Sequence, residues 1–154
     1  TKTMKIHLKR VNQSVRFEAT NVRVHKVLIE GSKIIGGEDL APSPTEYLIM
    51  SQAACTAIDV VELLKKMRQP LTDLEIESDA ERAQDQVPKL FTHIHLHYKI
   101  FGDVNPAKAE KAISMSIEKY CTVSKMIDHI AKITHSFEIH PERKRTWKIV
   151  VQPI

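Results

Sequence analysis

The amino-acid sequence predicts an α+β fold, and three observations carry that expectation. Strand-like alternation of apolar and polar side chains clusters near the start, middle and end of the chain. Helical stretches fall between these clusters instead of alternating with single strands. One long helix, over residues 42–67, is apolar on most of its faces, which suits a core position rather than a surface one. The resulting order is β-β-β-α-β-β-α-α-β-β, in a single domain spanning residues 1–154.

The first cluster covers residues 4–10, 15–20 and 24–30, with Asn12-Gln13-Ser14 as a turn, and reads as an antiparallel meander. From Gly31 to Pro44 the chain holds three of its four glycines and closes with Pro42 and Pro44. A connection of that length is expected beside a site. Ser43 ahead of Pro44, with Glu46 three residues on, forms a capping box that starts the long helix.

Along that helix the apolar positions are Tyr47, Leu48, Ile49, Met50, Ala53, Ala54, Ala57, Ile58, Val60, Val61, Leu63, Leu64 and Met67. Ser51, Cys55, Asp59 and Glu62 fall on one narrow stripe, with Gln52 beside it. A free cysteine in such a helix is often a small core hydrophobe. The polar stripe around it keeps a chemical role open.

The helix stops near Arg68-Gln69-Pro70, where basic residues suit its C-terminal dipole and proline forbids continuation. Two strands follow over 74–83 and 89–101, and Gly102-Asp103 closes the hairpin. Asn105-Pro106 opens a second helix running to about Tyr120. Cys121 comes next, then a short amphipathic helix carrying Val123, Met126, Ile127 and Ile130. Strands over 133–140 and 145–154 complete the pattern.

Composition narrows the function classes. At 154 residues, 42% hydrophobic and 27% charged, the chain is globular rather than disordered. A net charge of +4 is only mildly basic, and 5% aromatics are too few for base-stacking platforms, so no nucleic-acid partner is expected. Neither an apolar leader nor a run of 18 apolar residues appears, so no membrane partner is expected either. Two cysteines in such a chain fit a reducing, cytoplasmic setting.

Cys55 and Cys121 stand too far apart in sequence for a metal-binding or thioredoxin-type CxxC pair. Cys121 precedes Thr122 and Ser124 at a helix start, where free N–H groups favour thiolate. His93, His95 and His97 share one strand face, a spacing compatible with zinc. A solvated strand face accounts for them more simply, because no acidic or cysteine residue at short spacing completes a ligand set.

Three segments together resemble the OsmC/Ohr family, and within it the YhfA-like branch. They are APSPTEYLIMSQAACTAIDVV, PKLFTHIHLHY and SIEKYCTVSKMI, lying between about residues 41 and 139. The resemblance implies an OsmC-like fold in which antiparallel sheets wrap the central helices of an intertwined homodimer. It also implies a cysteine-based hydroperoxide reductase of oxidative-stress defence, with no cofactor and no metal. Cys55 then matches the peroxidatic cysteine and Cys121 the resolving one, with an organic hydroperoxide and a dithiol reductant as substrates. Family peroxidases carry a glutamate where this chain has Thr45, and an N-terminal arginine that stabilises the thiolate. Arg16, Arg23 and Arg82 are the arginines considered for that part, Arg23 first because it lies close to the loop before the helix. The alternative is a catalytically weak redox sensor or a protein that binds a small apolar ligand.

Overall fold

The computed structural model of the chain describes residues 2–141, and the strand expected over 145–154 lies outside them. The chain divides into two compact units, Thr1–Met50 and Ser51–Ile154, and the division falls inside the long helix.

In the first unit β1 (Ile6–Arg10), β2 (Arg16–Asn21) and β3 (Lys26–Glu30) form an antiparallel sheet in that order. Asn12 makes the first turn: its Oδ1 accepts from the backbone N–H groups of Ser14 and Arg16, at 3.1 and 3.0 Å. The loop after β3 is organised around Glu30, which is buried. Its carboxylate accepts from Arg16 Nε at 2.9 Å and from the backbone N–H of Glu38. A 3-10 turn, Lys33–Ile35, ends on Gly36 at φ +98°, a backbone conformation that glycine adopts without strain. The capping box forms as expected: Glu46 N–H donates to Ser43 Oγ at 3.3 Å, and Ser43 N–H to Glu46 Oε1 at 3.2 Å. Helix α1 (Pro44–Lys66) begins there.

The second unit contains the rest of α1, then β4 (Asp73–Arg82) and β5 (Phe91–Phe101). These are followed by α2 (Pro106–Met115), a π-helical turn (Ser116–Tyr120), α3 (Thr122–Ile127) and β6 (Lys132–His140). The sheet order is β4-β5-β6. β4 and β5 pair antiparallel, but β6 runs parallel to β5, so the expected antiparallel arrangement does not extend to this strand. The helical connection between β5 and β6 explains the difference, because it carries the chain back to the edge where β5 began. Gly102, at φ +113°, permits the start of that return: a Cβ there would lie 2.2 Å from the Pro70 carbonyl oxygen.

Strand β5 separates two chemistries. Ile94, Leu96, Tyr98 and Ile100 are wholly buried in the core. The alternate residues His93, His95 and His97 are half-buried on the other face. Helix α1 adds Gln52, Thr56, Val60 and Leu64 to the core, one residue per turn along one stripe. The helix is not buried all round within one chain, however, for Ile58 is 65% exposed and Val61 41%. By length and hydropathy α1 would pass as a membrane span. Its hydrogen-bonded Gln52, Thr56 and Asp59 instead mark a core helix with one open face.

Candidate active site

The second helix stops earlier than its sequence pattern suggests. α2 ends at Met115, and Ser116–Tyr120 continue as a π turn, a widened turn that often marks a functional site. The turn closes with Cys121 N–H donating to the Ser116 carbonyl at 2.7 Å. Cys121 itself is extended (φ −73°, ψ 102°) and serves as the N-cap of α3. Its sulfur accepts from the backbone N–H of Ser124 at 3.3 Å, the position normally filled by a serine or aspartate oxygen. A widened turn on one side and a helix start on the other therefore fix where this sulfur points.

Cys55 lies within electrostatic reach of that sulfur, and both thiols are free. Cys121 is fully buried and Cys55 half-buried. Burial pushes the Cys121 thiol above its ordinary value, and Cys55 adds to that rise; hydrogen bonds from the side chain and backbone of Ser124 oppose it.

Polar side chains surround the pair, among them Thr56, Tyr98 and Ser116, to which the sequence assigned no role. Gln52 Nε2 donates to Ser124 Oγ at 3.3 Å, and all three of Gln52, Ser124 and Cys121 are wholly buried. A second chain of hydrogen bonds starts at Asp59, one turn after Cys55. Ser116 Oγ donates to Asp59 Oδ2 at 2.9 Å and lies 2.8 Å from Thr56 Oγ1. Thr56 Oγ1 is in turn 2.7 Å from the Tyr98 hydroxyl. Burial holds the Tyr98 phenol well above its ordinary range, so it stays protonated as a hydrogen-bond partner. The sequence carried one signal for this network: a tyrosine within the apolar row of β5, facing two polar residues four apart in a buried helix row.

The other candidates are placed elsewhere. Arg23 is exposed in the turn between β2 and β3 of the first unit. Arg16 is taken up by Glu30 and by Glu38, whose Oε1 is 3.4 Å from Arg16 Nη2. Arg82 donates to the Lys89 carbonyl at 2.9 Å and lies over the Phe91 ring. Thr45 sits at the helix start, 3.4 Å from Ser43 Oγ.

The three histidines form a hydrogen-bonded ladder with β6. Thr134 Oγ1 bridges His93 Nε2 and His95 Nδ1 at 2.8 and 2.7 Å. Ser136 Oγ bridges His95 Nε2 and His97 Nδ1 at 2.8 and 2.7 Å. Each hydroxyl donates to one ring and accepts from the other. Among the described residues no group of three His, Cys, Asp or Glu side chains has the geometry to hold a metal ion.

Known proteins share this fold. The family model described as OsmC-like protein matches residues 36–136. Protein YhfA of Escherichia coli K12 is 38% identical over 128 residues, covering 82% of this chain and 92% of that protein. A hypothetical protein from Aquifex aeolicus superposes with a TM-score of 0.79 at 25% identity, over 93% of this chain and all of that one. An organic hydroperoxide resistance protein OsmC from Legionella pneumophila shares the fold, with a TM-score of 0.68 at 19% identity over 88% of this chain and 96% of that one. The chain belongs to the OsmC-like family, and within it is similar to YhfA.

Proposed function

We propose that this protein is a cysteine-based hydroperoxide reductase of OsmC type, acting in oxidative-stress defence in the cytoplasm. One observation carries the reading: a half-buried thiol, Cys55, faces a buried thiol, Cys121, whose sulfur is oriented by Ser124. In the proposed reaction the Cys55 thiolate attacks the distal oxygen of an organic hydroperoxide. The O–O bond breaks, the alkoxide leaves as alcohol after taking a proton, and Cys55 becomes a sulfenic acid. The Cys121 sulfur then attacks the Cys55 sulfur, water leaves, and the disulfide forms. A dithiol restores both thiols and departs oxidised. Arg23 is the proposed stabiliser of the Cys55 thiolate, chosen for its place close to the loop before α1.

The family match runs across the division inside α1, which supports treating residues 1–154 as one functional domain. We further propose that it works as a homodimer. The open face of α1 supports this, because exposed Ile58 and Val61 are the side chains that a second copy would cover.

A specific observation favours a second reading, binding of a small apolar ligand. Ala57, Ile58, Val61, Leu71 and Leu74, with Glu62 and Asp73, line an open hollow of about 470 Å³. Consumption of an organic hydroperoxide in the presence of dithiothreitol separates the two. The reductase reading expects turnover that Cys55→Ser abolishes and Cys121→Ser slows, because the Cys55 sulfenic acid must then be reduced by dithiothreitol directly. Absence of consumption by the wild-type protein favours the ligand-binding reading.

A further inference from the structure

The Cys121 sulfur accepts from the backbone N–H of Ser124 at 3.3 Å, and the Ser124 side chain lies close enough to favour the thiolate as well. Ser124 Oγ also accepts from the Gln52 amide at 3.3 Å, which leaves the serine proton free to point at sulfur. Gln52 Oε1 is buried with no partner among the described residues, an arrangement costing about 1–3 kcal/mol in general. A core that tolerates such an orphan is holding the amide in place for its other end. Among the described residues no backbone N–H donates to the Cys55 sulfur as Ser124 does to Cys121.

We propose that Ser124, held by Gln52, is a positioning residue that makes Cys121 the leaving group when the Cys55–Cys121 disulfide is opened by an external thiol. The inference rests on the cysteine pairing put forward above. The incoming thiolate forms a bond to Cys55 Sγ, and the electron pair of the breaking S–S bond departs on Cys121 Sγ. Negative charge develops on that sulfur, which its burial disfavours, and the Ser124 groups beside it offset that cost and strengthen as the charge grows. The second thiolate of a dithiol then attacks the sulfur of its own first arm and releases Cys55. Two electrons and two protons pass from dithiol to protein, and the reductant leaves as a cyclic disulfide. Access works in the same sense, since Cys121 is fully buried and Cys55 is not.

The test uses diamide in place of hydroperoxide to make the disulfide, so that it is independent of peroxidase activity. The oxidised protein is opened with 2-mercaptoethanol, quenched with N-ethylmaleimide and mapped by peptide mass spectrometry. The expected product carries mercaptoethanol on Cys55 and maleimide on Cys121. Ser124→Ala should slow opening about tenfold, the worth of one hydrogen bond to a charged acceptor, and should spread the adduct over both cysteines. Ser124→Thr keeps both donors and should restore rate and selectivity, which a merely structural role would not require. Mercaptoethanol mainly on Cys121, or Ser124→Ala matching wild type in rate and adduct position, overturns the proposal. No intramolecular disulfide under diamide overturns the pairing and this inference together. A disulfide that forms under diamide but not under hydroperoxide counts against the peroxidase reading alone.

Discussion

Ser116 Oγ donates to Asp59 Oδ2 at 2.9 Å, tying the π turn that leads into Cys121 to the turn of α1 that follows Cys55. The bond is one link of a buried chain from Asp59 through Ser116 and Thr56 to Tyr98. It registers two elements far apart in sequence, and each of them carries one thiol. Asp59, which shares the polar stripe of α1 with Cys55, is thus occupied in positioning the segment that leads into the partner thiol.

Ser116→Ala should therefore do two things. Removing a buried hydroxyl with two partners should cost about 1–3 kcal/mol of stability. Disulfide formation under diamide should also slow, because the π turn loses its tie to α1. Urea denaturation and the rate of thiol loss measure the two effects. A variant of unchanged stability and unchanged rate would remove this network from the account.

Acid should weaken the first unit through Glu30. The Arg16 hydrogen bond first, and the Glu38 backbone N–H next, hold its carboxyl below the usual carboxylate range. A depressed folded value contributes stability that is fully present above the unfolded value, about 4.3, and is lost as pH falls through the folded value. Glu30→Gln should lower the urea midpoint at neutral pH, and the gap to wild type should close as pH drops below about 4. A gap that stays constant with pH would show that the carboxylate charge does not matter there.

The histidine ladder yields a stability effect separate from the thiols. Thr134→Val keeps the shape but strips the hydroxyl that bridges His93 and His95. Since the rings are half-buried, water replaces part of what is lost, and the expected cost is about 1 kcal/mol. It should appear as a lower denaturant midpoint with unchanged slope. A valine variant at least as stable as wild type would contradict the bridging role.

Covering of the open α1 face is tested by Ile58→Glu. Ile58 is 65% exposed on an otherwise apolar stretch, and a buried charge at a dimer interface is strongly unfavourable. Sedimentation should find wild type as a dimer and the variant as a monomer. A monomeric wild type at micromolar concentration would rule out the homodimer.

Much of this architecture was legible in the chain, and the gaps have physical causes. Ser43-Pro44 with Glu46 announced the start of α1 because capping chemistry is local, and the alternation along β5 announced that strand for the same reason. The direction of β6 was not legible, since pairing partners are chosen by tertiary packing and not by propensity. The break of α2 at Ser116 was hidden because Ser116–Tyr120 continue a helical pattern, and the bond from Ser116 to Asp59 joins residues far apart in sequence. Cys55 and Cys121 were visible as residues and by family resemblance. Of their surroundings, Gln52 and Ser124 stood out only as polar neighbours, and Thr56, Tyr98 and Ser116 looked like ordinary core or surface positions, because hydrogen bonds across 42 to 72 residues leave no local mark.

The central claim is that Cys55 and Cys121 act as one redox pair toward hydroperoxides. The direct measurement is non-reducing peptide mapping after one equivalent of cumene hydroperoxide. The account expects both thiols to disappear together, with the Cys55 and Cys121 peptides joined by a single intramolecular disulfide. Two free thiols after exposure, or Cys55 carried on to sulfinic acid while Cys121 stays reduced, would contradict it.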